Sequence, residues 1–210
     1  MPLLLKKNIA PHSILGIWQI SEDEETLYRS LGSRFENDTL IQASKPRLRI
    51  QRLCARALLK EITGLIELGY NPTGKPFLPK SDQSVSISHT NDLVALIVSK
   101  APATGIDIES ISARIIPLAK KFLAKEEMEE LRDSILTDQL HVYWGAKEAL
   151  YKWHGKKGLI FGENIHIFPF QPGKGQGILR ASIKTEETNR EFELIYEKIG
   201  NHMLVYVTNS

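Results

Sequence analysis

Residues Ala55-Arg56-Ala57-Leu58-Leu59-Lys60-Glu61-Ile62-Thr63-Gly64 and residues Ala146-Lys147-Glu148-Ala149-Leu150-Tyr151-Lys152-Trp153-His154-Gly155 read as one passage written twice. Each is an alanine- and leucine-rich helix end stopped by glycine. Upstream of the first, Pro46 opens a helix over Arg47–Ile62, with Ile50, Leu53, Ala57 and Leu58 at helical spacing. Upstream of the second, the pattern predicts a helix over Gln139–His154. A turn and strand-like runs follow each: Val85–Ser88 and Leu93–Val98 in the first case, then Asn164–Phe168, Ile178–Lys184, Glu191–Tyr196 and His202–Thr208 in the second. Ser21-Glu22-Asp23-Glu24 reads as a capping box for a short helix to Leu31, and a further helix is predicted over Ile116–Arg132.

Helix then strands, twice, predicts an α+β fold of two similar α/β halves, residues 1–101 and 102–210, related by a pseudo-two-fold axis. Short matches of this kind also arise by chance, so the echo alone leaves duplication and coincidence both open. Halves so arranged would offer a cleft, a favoured place for a ligand.

The 210 residues carry 42% hydrophobic and 25% charged side chains, which excludes disordered and low-complexity classes. One cysteine excludes a disulfide scaffold and a thiolate-built zinc site. The N-terminal run Leu3-Leu4-Leu5 precedes its lysines, the reverse of a signal peptide, and no apolar stretch reaches the roughly 18 residues of a membrane span. The expectation is a cytoplasmic protein with no membrane partner. A net charge of +2 argues against a protein that coats nucleic acid.

The placement of charge says more than its sum. Asp107 and Glu109 stand two apart in the strand-like Gly105-Ile106-Asp107-Ile108-Glu109, so both carboxylates leave one face while Ile106 and Ile108 leave the other. Side-by-side carboxylates repel unless a cation sits between them, as Mg²⁺ does in oxygen-lined sites. An acidic, solvated strand face reads equally well from these two residues. On the helix after Gln139, Trp144, Glu148 and Lys152 form one stripe at i, i+4 and i+8. Glu148 and Lys152 fit a surface ion pair, or a third carboxylate for a metal with an ammonium one turn on.

From Lys45 to Lys60 the chain carries Lys45, Arg47, Arg49, Arg52, Arg56 and Lys60 with no acid between them. Arg49, Arg52 and Arg56 share one helical face, Lys75 lies in Gly74-Lys75-Pro76, and Ser88-His89 ends a strand. Clustered arginines bind phosphate bidentately. Nucleic acid is the competing partner, but no aromatics interleave the basic residues, and a small polyphosphate fits better. The other histidines, His12, His141, His154, His166 and His202, show no zinc-protease spacing.

Together these motifs resemble those of the 4′-phosphopantetheinyl transferases. Gly105-Ile106-Asp107-Ile108-Glu109 followed by Trp144-Gly145-Ala146-Lys147-Glu148-Ala149-Leu150-Tyr151-Lys152 is similar to the paired G-I-D-I-E and W-x-x-K-E-A-x-x-K signature. Gly74-Lys75-Pro76 and Ile87-Ser88-His89 resemble the family's upstream coenzyme A motifs. The length and the doubled pattern resemble the Sfp-like, monomeric, pseudo-dimeric branch. Gly145 and Ala146 depart from the serine or cysteine and bulkier residue more usual there, and Thr90-Asn91 departs where a second serine is common.

The resemblance implies transfer of 4′-phosphopantetheine from coenzyme A to a serine of an apo acyl or peptidyl carrier protein, releasing 3′,5′-ADP. It implies Asp107, Glu109 and Glu148 as ligands of Mg²⁺, with Mn²⁺ as the alternative ion. Glu148, Lys152 and Asp107 form the implied catalytic set, with Glu148 as base, metal ligand or both. Lys75, Ser88, His89, Arg49, Arg56 and Lys147 are the implied coenzyme A contacts. A non-catalytic coenzyme A-binding protein and a nucleic-acid-binding module are the rival readings. The first would keep Lys75 and His89 without turnover, and the second would be indifferent to Glu148.

Overall fold

A computed structural model describes residues 2–32, 35–36 and 38–208. Its contacts divide the chain into two compact units that succeed one another at Ala101–Pro102. Each has its own apolar core.

In the N-terminal unit, β1 (Leu3–Ala10) and β2 (Ser13–Gln19) form a hairpin, followed by α1 (Glu24–Leu31), α2 (Thr39–Gln42) and α3 (Pro46–Thr63). A two-stranded ribbon of β3 (Gly69–Tyr70) and β4 (Pro76–Phe77) precedes the hairpin β5 (Ser84–His89) and β6 (Leu93–Ser99). The main sheet is antiparallel in the order β1-β2-β6-β5. α3 covers one face of it: Leu53, Leu58 and Ile62 pack with Trp18, Val94, Leu96 and Val98. Burial of each such leucine contributes about 1.5–3 kcal/mol. The first helix is capped by Asp23, whose carboxylate accepts from the Thr26 N–H at 2.8 Å, rather than by Ser21.

The C-terminal unit begins with β7 (Ile106–Ser110) and a 3-10 turn over Ala113–Leu118. Three helices come next, α4 (Ala119–Phe122), α5 (Lys125–Glu129) and α6 (Leu136–His154), then α7 (Phe161–Asn164). Four strands finish it: β8 (Ile165–Ile167), β9 (Gln176–Lys184), β10 (Asn189–Ile199) and β11 (His202–Val207). The sheet is antiparallel in the order β7-β11-β10-β9-β8. α6 packs on it through Tyr143, Ala146 and Leu150 against Leu194, Met203 and Val205.

The helix expected over Ile116–Arg132 is broken into three pieces. Pro117 lies within the 3-10 turn, and Leu123 and Ala124 turn extended, with ψ of 142° and 164°. Glu127 then caps α5 by accepting the Ala124 N–H at 2.8 Å.

The two similar passages both end long helices. α3 and α6 each end on a left-handed glycine, Gly64 (φ 81°) and Gly155 (φ 69°), whose N–H closes on the carbonyl four residues back. In each unit the last strand before the helices pairs with the final strand: β2 with β6, β7 with β11.

Candidate active site

The acidic strand and the helical stripe come together in the C-terminal unit. Ile106 and Ile108 are fully buried on one face of β7, and Asp107 and Glu109 leave the other, towards α6. Lys152 Nζ donates to Asp107 Oδ1 at 2.8 Å and to the Ile106 carbonyl at 3.0 Å. Trp144 Nε1 donates to Glu109 Oε1 at 3.4 Å. Two glycines permit this approach. A Cβ on Gly105 would stand 1.9 Å from the Ala149 carbonyl oxygen, and one on Gly145 would stand 2.7 Å from Val205 Cγ2 and 3.7 Å from Asp107 Oδ2. The small residue at 145 is therefore what close packing of α6 against β11 requires.

Electrostatics mark the same cluster. Burial, reinforced by the neighbouring Asp107 and Glu109 charges and opposed by Lys152, pushes the Glu148 carboxyl up to about 7. Burial and Asp107 likewise raise Glu109, against the Trp144 hydrogen bond and Lys152. These are carboxylates held where their negative charge is under-compensated.

The N-terminal unit supplies a second feature. A cavity of about 370 Å³ is bordered by Arg52, Gln51 and Ala55 of α3, by Tyr70 and Gly74 of the β3–β4 ribbon, and by His89 at the end of β5. Beside Gly74, Lys75 is half-buried, and burial lowers its pKa. The turn that carries it is pinned by Asn71, whose Oδ1 accepts from the N–H groups of Thr73 and Lys75 at 3.0 and 2.8 Å.

Residues 103–205 match the family model of the 4′-phosphopantetheinyl transferase superfamily. A 4′-phosphopantetheinyl transferase of Bacillus subtilis is 33% identical over 95 residues, 43% of this chain and 42% of that protein. The 4′-phosphopantetheinyl transferase AcpT of Escherichia coli O157:H7 is 34% identical over 122 residues, 54% of this chain and 62% of that protein. By its C-terminal half this chain is similar to the 4′-phosphopantetheinyl transferase superfamily. It spans less than two thirds of the length of either curated relative. The matched segment contains every member of the acidic stripe, whereas the cavity of the N-terminal unit lies outside it.

Within this fold, several residues lie elsewhere than the sequence implies. Lys147 is not open to a ligand: its side chain is 0% exposed and its ammonium pairs with Glu127 at 2.8 Å. Arg56 is likewise enclosed, at 1% exposure, donating to the Leu68 carbonyl at 3.0 Å and facing Asp38 at 3.6 Å. Arg49 turns to Glu24 at 3.2 Å rather than to the cavity. Ser88 is buried on the face of β5 opposite His89, because adjacent strand residues alternate. Arg52 had been seen only as part of the basic helix face. It is the arginine of that set that borders the cavity together with His89.

The metal assignment is met in chemistry and not in present geometry. Among the described residues, no three His, Cys, Asp or Glu side chains form a group able to hold a metal ion as they stand. Asp107 is instead held by the Lys152 ammonium. The donors are nevertheless all oxygen, on two facing elements, and Glu109 and Glu148 are raised by burial first and by neighbouring carboxylate charge second, a charge that a hard divalent cation would offset. No helix among the described residues is long and apolar enough to cross a membrane.

Proposed function

We propose that this protein transfers 4′-phosphopantetheine from coenzyme A to the serine hydroxyl of an apo acyl or peptidyl carrier protein, as a monomer in the cytoplasm. The observation that carries the reading is the group of buried Asp107 and half-buried Glu109, Glu148 and Lys152, with Lys152 paired to Asp107, inside the segment that matches the superfamily. The superfamily match over residues 103–205 and the names of both relatives support the transfer chemistry.

In this reading Glu148 takes the proton of the serine hydroxyl. Its titration near neutrality favours that role, since a general base works best with a pKa close to the working pH. As the serine Oγ–phosphorus bond forms, the phosphorus–oxygen bond to 3′,5′-ADP breaks, and the leaving diphosphate charge must be met. Lys152, oriented by Asp107, places an ammonium there. Asp107 and Glu109, with Glu148, are the residues that would hold Mg²⁺ (or Mn²⁺), which when bound neutralises charge on the phosphate oxygens. Arg52 and His89, which border the cavity of the N-terminal unit, and Lys75 beside it are of the chemistry that binds phosphate.

The test is direct. The protein is incubated with coenzyme A, Mg²⁺ and several apo acyl and peptidyl carriers, and the carriers are weighed by mass spectrometry. One added phosphopantetheine on the serine supports the reading. Absence of any mass gain across all carriers refutes it.

A further inference from the structure

The phosphopantetheine-transfer chemistry leaves Lys147 without a role, although it immediately precedes Glu148. Its Nζ donates to Glu127 Oε2 at 2.8 Å, to the Phe161 carbonyl at 2.9 Å and to the Ile165 carbonyl at 2.6 Å, which uses all three ammonium protons. Glu127 also accepts from the Ala124 N–H through Oε2 and from the Ile167 N–H through Oε1, each at 2.8 Å. The side chains are 0% and 1% exposed. A single polar node thus ties α6 to the start of α5, to α7 and to β8.

A buried ion pair is a poor source of stability, because apolar side chains of similar volume often serve as well. What the node supplies is direction. Apolar contacts along α6 at Tyr143, Ala146 and Leu150 tolerate small rotations and slides of the helix, whereas five directed hydrogen bonds do not. Successive helical residues lie about 100° apart, so holding Lys147 towards α7 and β8 holds Glu148 and Lys152 towards β7.

We infer that Lys147 is a positioning residue whose pairing with Glu127 sets the rotation of α6 and so delivers Glu148 and Lys152 to Asp107 and Glu109. The inference rests on the proposed active site, and it separates a fixing role from substrate contact. A lysine touching coenzyme A would act on KM. A positioning lysine acts on kcat and on the divalent ion, and it does so in concert with a glutamate outside the site.

The experiment compares wild type with the double variant Lys147→Met/Glu127→Leu, which removes both charges together, and with Glu127→Asp, which keeps the pair but shortens its reach. Three quantities are read: unfolding midpoint, kcat and KM for coenzyme A, and Mn²⁺ affinity followed by loss of the free-ion paramagnetic resonance signal. Both variants are expected to fold. The double variant should lose kcat and Mn²⁺ affinity about tenfold or more, with KM for coenzyme A within about twofold, and Glu127→Asp should shift the same quantities by less. Should the double variant fail to fold, Glu127→Asp decides. A folded variant with wild-type kcat and Mn²⁺ affinity overturns the inference, as does a rise in KM at unchanged kcat. If wild type modifies no carrier but binds Mn²⁺, the transferase reading fails and Mn²⁺ affinity alone judges the node. If it does neither, the inference falls with the site.

Discussion

Replacing Glu148 by glutamine should stabilise the metal-free protein while removing its activity. In the folded chain the Glu148 carboxyl titrates at about 7, against an ordinary 4.5, because burial and Asp107 oppose its ionisation more than Lys152 favours it. The folded state therefore keeps a proton that the unfolded state gives up. This contribution is fully favourable below pH 4.5, declines as pH rises through the interval up to 7, and stays unfavourable above it. At about 1.4 kcal/mol per pH unit, the interval corresponds to about 3 kcal/mol at most. Partial solvent access to Glu148 lowers the expected gain to about 1–3 kcal/mol, or about 2–9 °C in unfolding midpoint. Glutamine keeps the shape without the charge, so urea or thermal unfolding in EDTA should show wild type and Glu148→Gln equally stable near pH 4 and the variant more stable at pH 8. Millimolar Mg²⁺ should then raise the wild type more than the variant. A variant no more stable than wild type at pH 8, or a gain identical at both pH values, refutes the electrostatic account of this site.

Arg52→Ala should raise KM for coenzyme A about tenfold with the unfolding midpoint nearly unchanged, since its guanidinium borders the cavity rather than the core. Arg56→Ala should instead cost about 2–4 kcal/mol of stability in urea unfolding, because it takes the donor from the Leu68 carbonyl and the facing cation from Asp38. The double substitution Asp107→Leu/Lys152→Met should abolish transfer yet leave stability equal or higher, and a large loss of stability would show the pair to be structural. Cys54, fully buried and with its thiol pushed up to about 12, should not react with a thiol reagent at pH 8 until urea unfolds the protein.

The sequence announced the parts of this fold that local chemistry decides. The glycine stops of α3 and α6, the alternation that sends Asp107 and Glu109 to one face, and the stripe of Trp144, Glu148 and Lys152 all follow from helix and strand periods. What it did not announce depends on partners far along the chain. The six basic residues from Lys45 to Lys60 have no acid among them, yet Glu24 meets Arg49 and Asp38 meets Arg56. Lys147 looked free beside Glu148 because Glu127, its partner, belongs to a different helix. Glu127 caps that helix as well, and this local cap accompanies the break in the segment expected to be one helix over Ile116–Arg132. β1 went unread because Leu4, Lys6 and Asn8 alternate with half-buried neighbours, a weak signal on an edge strand.

The two units also supply an internal control on what the acidic residues are for. In β2, the strand that occupies in its unit the place β7 occupies in the other, the face towards the long helix carries Ile14, Gly16 and Trp18. Trp18 and Ile14 pack in the core, and Gly16 lies so close to α3 that a Cβ would stand 2.7 Å from Leu58. A strand, a helix and a hairpin thus assemble in this order with apolar side chains at that junction. β7 forms the same junction with Asp107 and Glu109, and α6 faces them with Glu148 and Lys152. Folding does not call for those charges. Burying them costs free energy, some of it visible as the upward shifts of Glu109 and Glu148, and the Lys152–Asp107 pair offsets only part of that cost. Charge kept at a junction that β2 and α3 make with apolar side chains supports the role proposed for these residues, and the superfamily match falls on the unit that carries it.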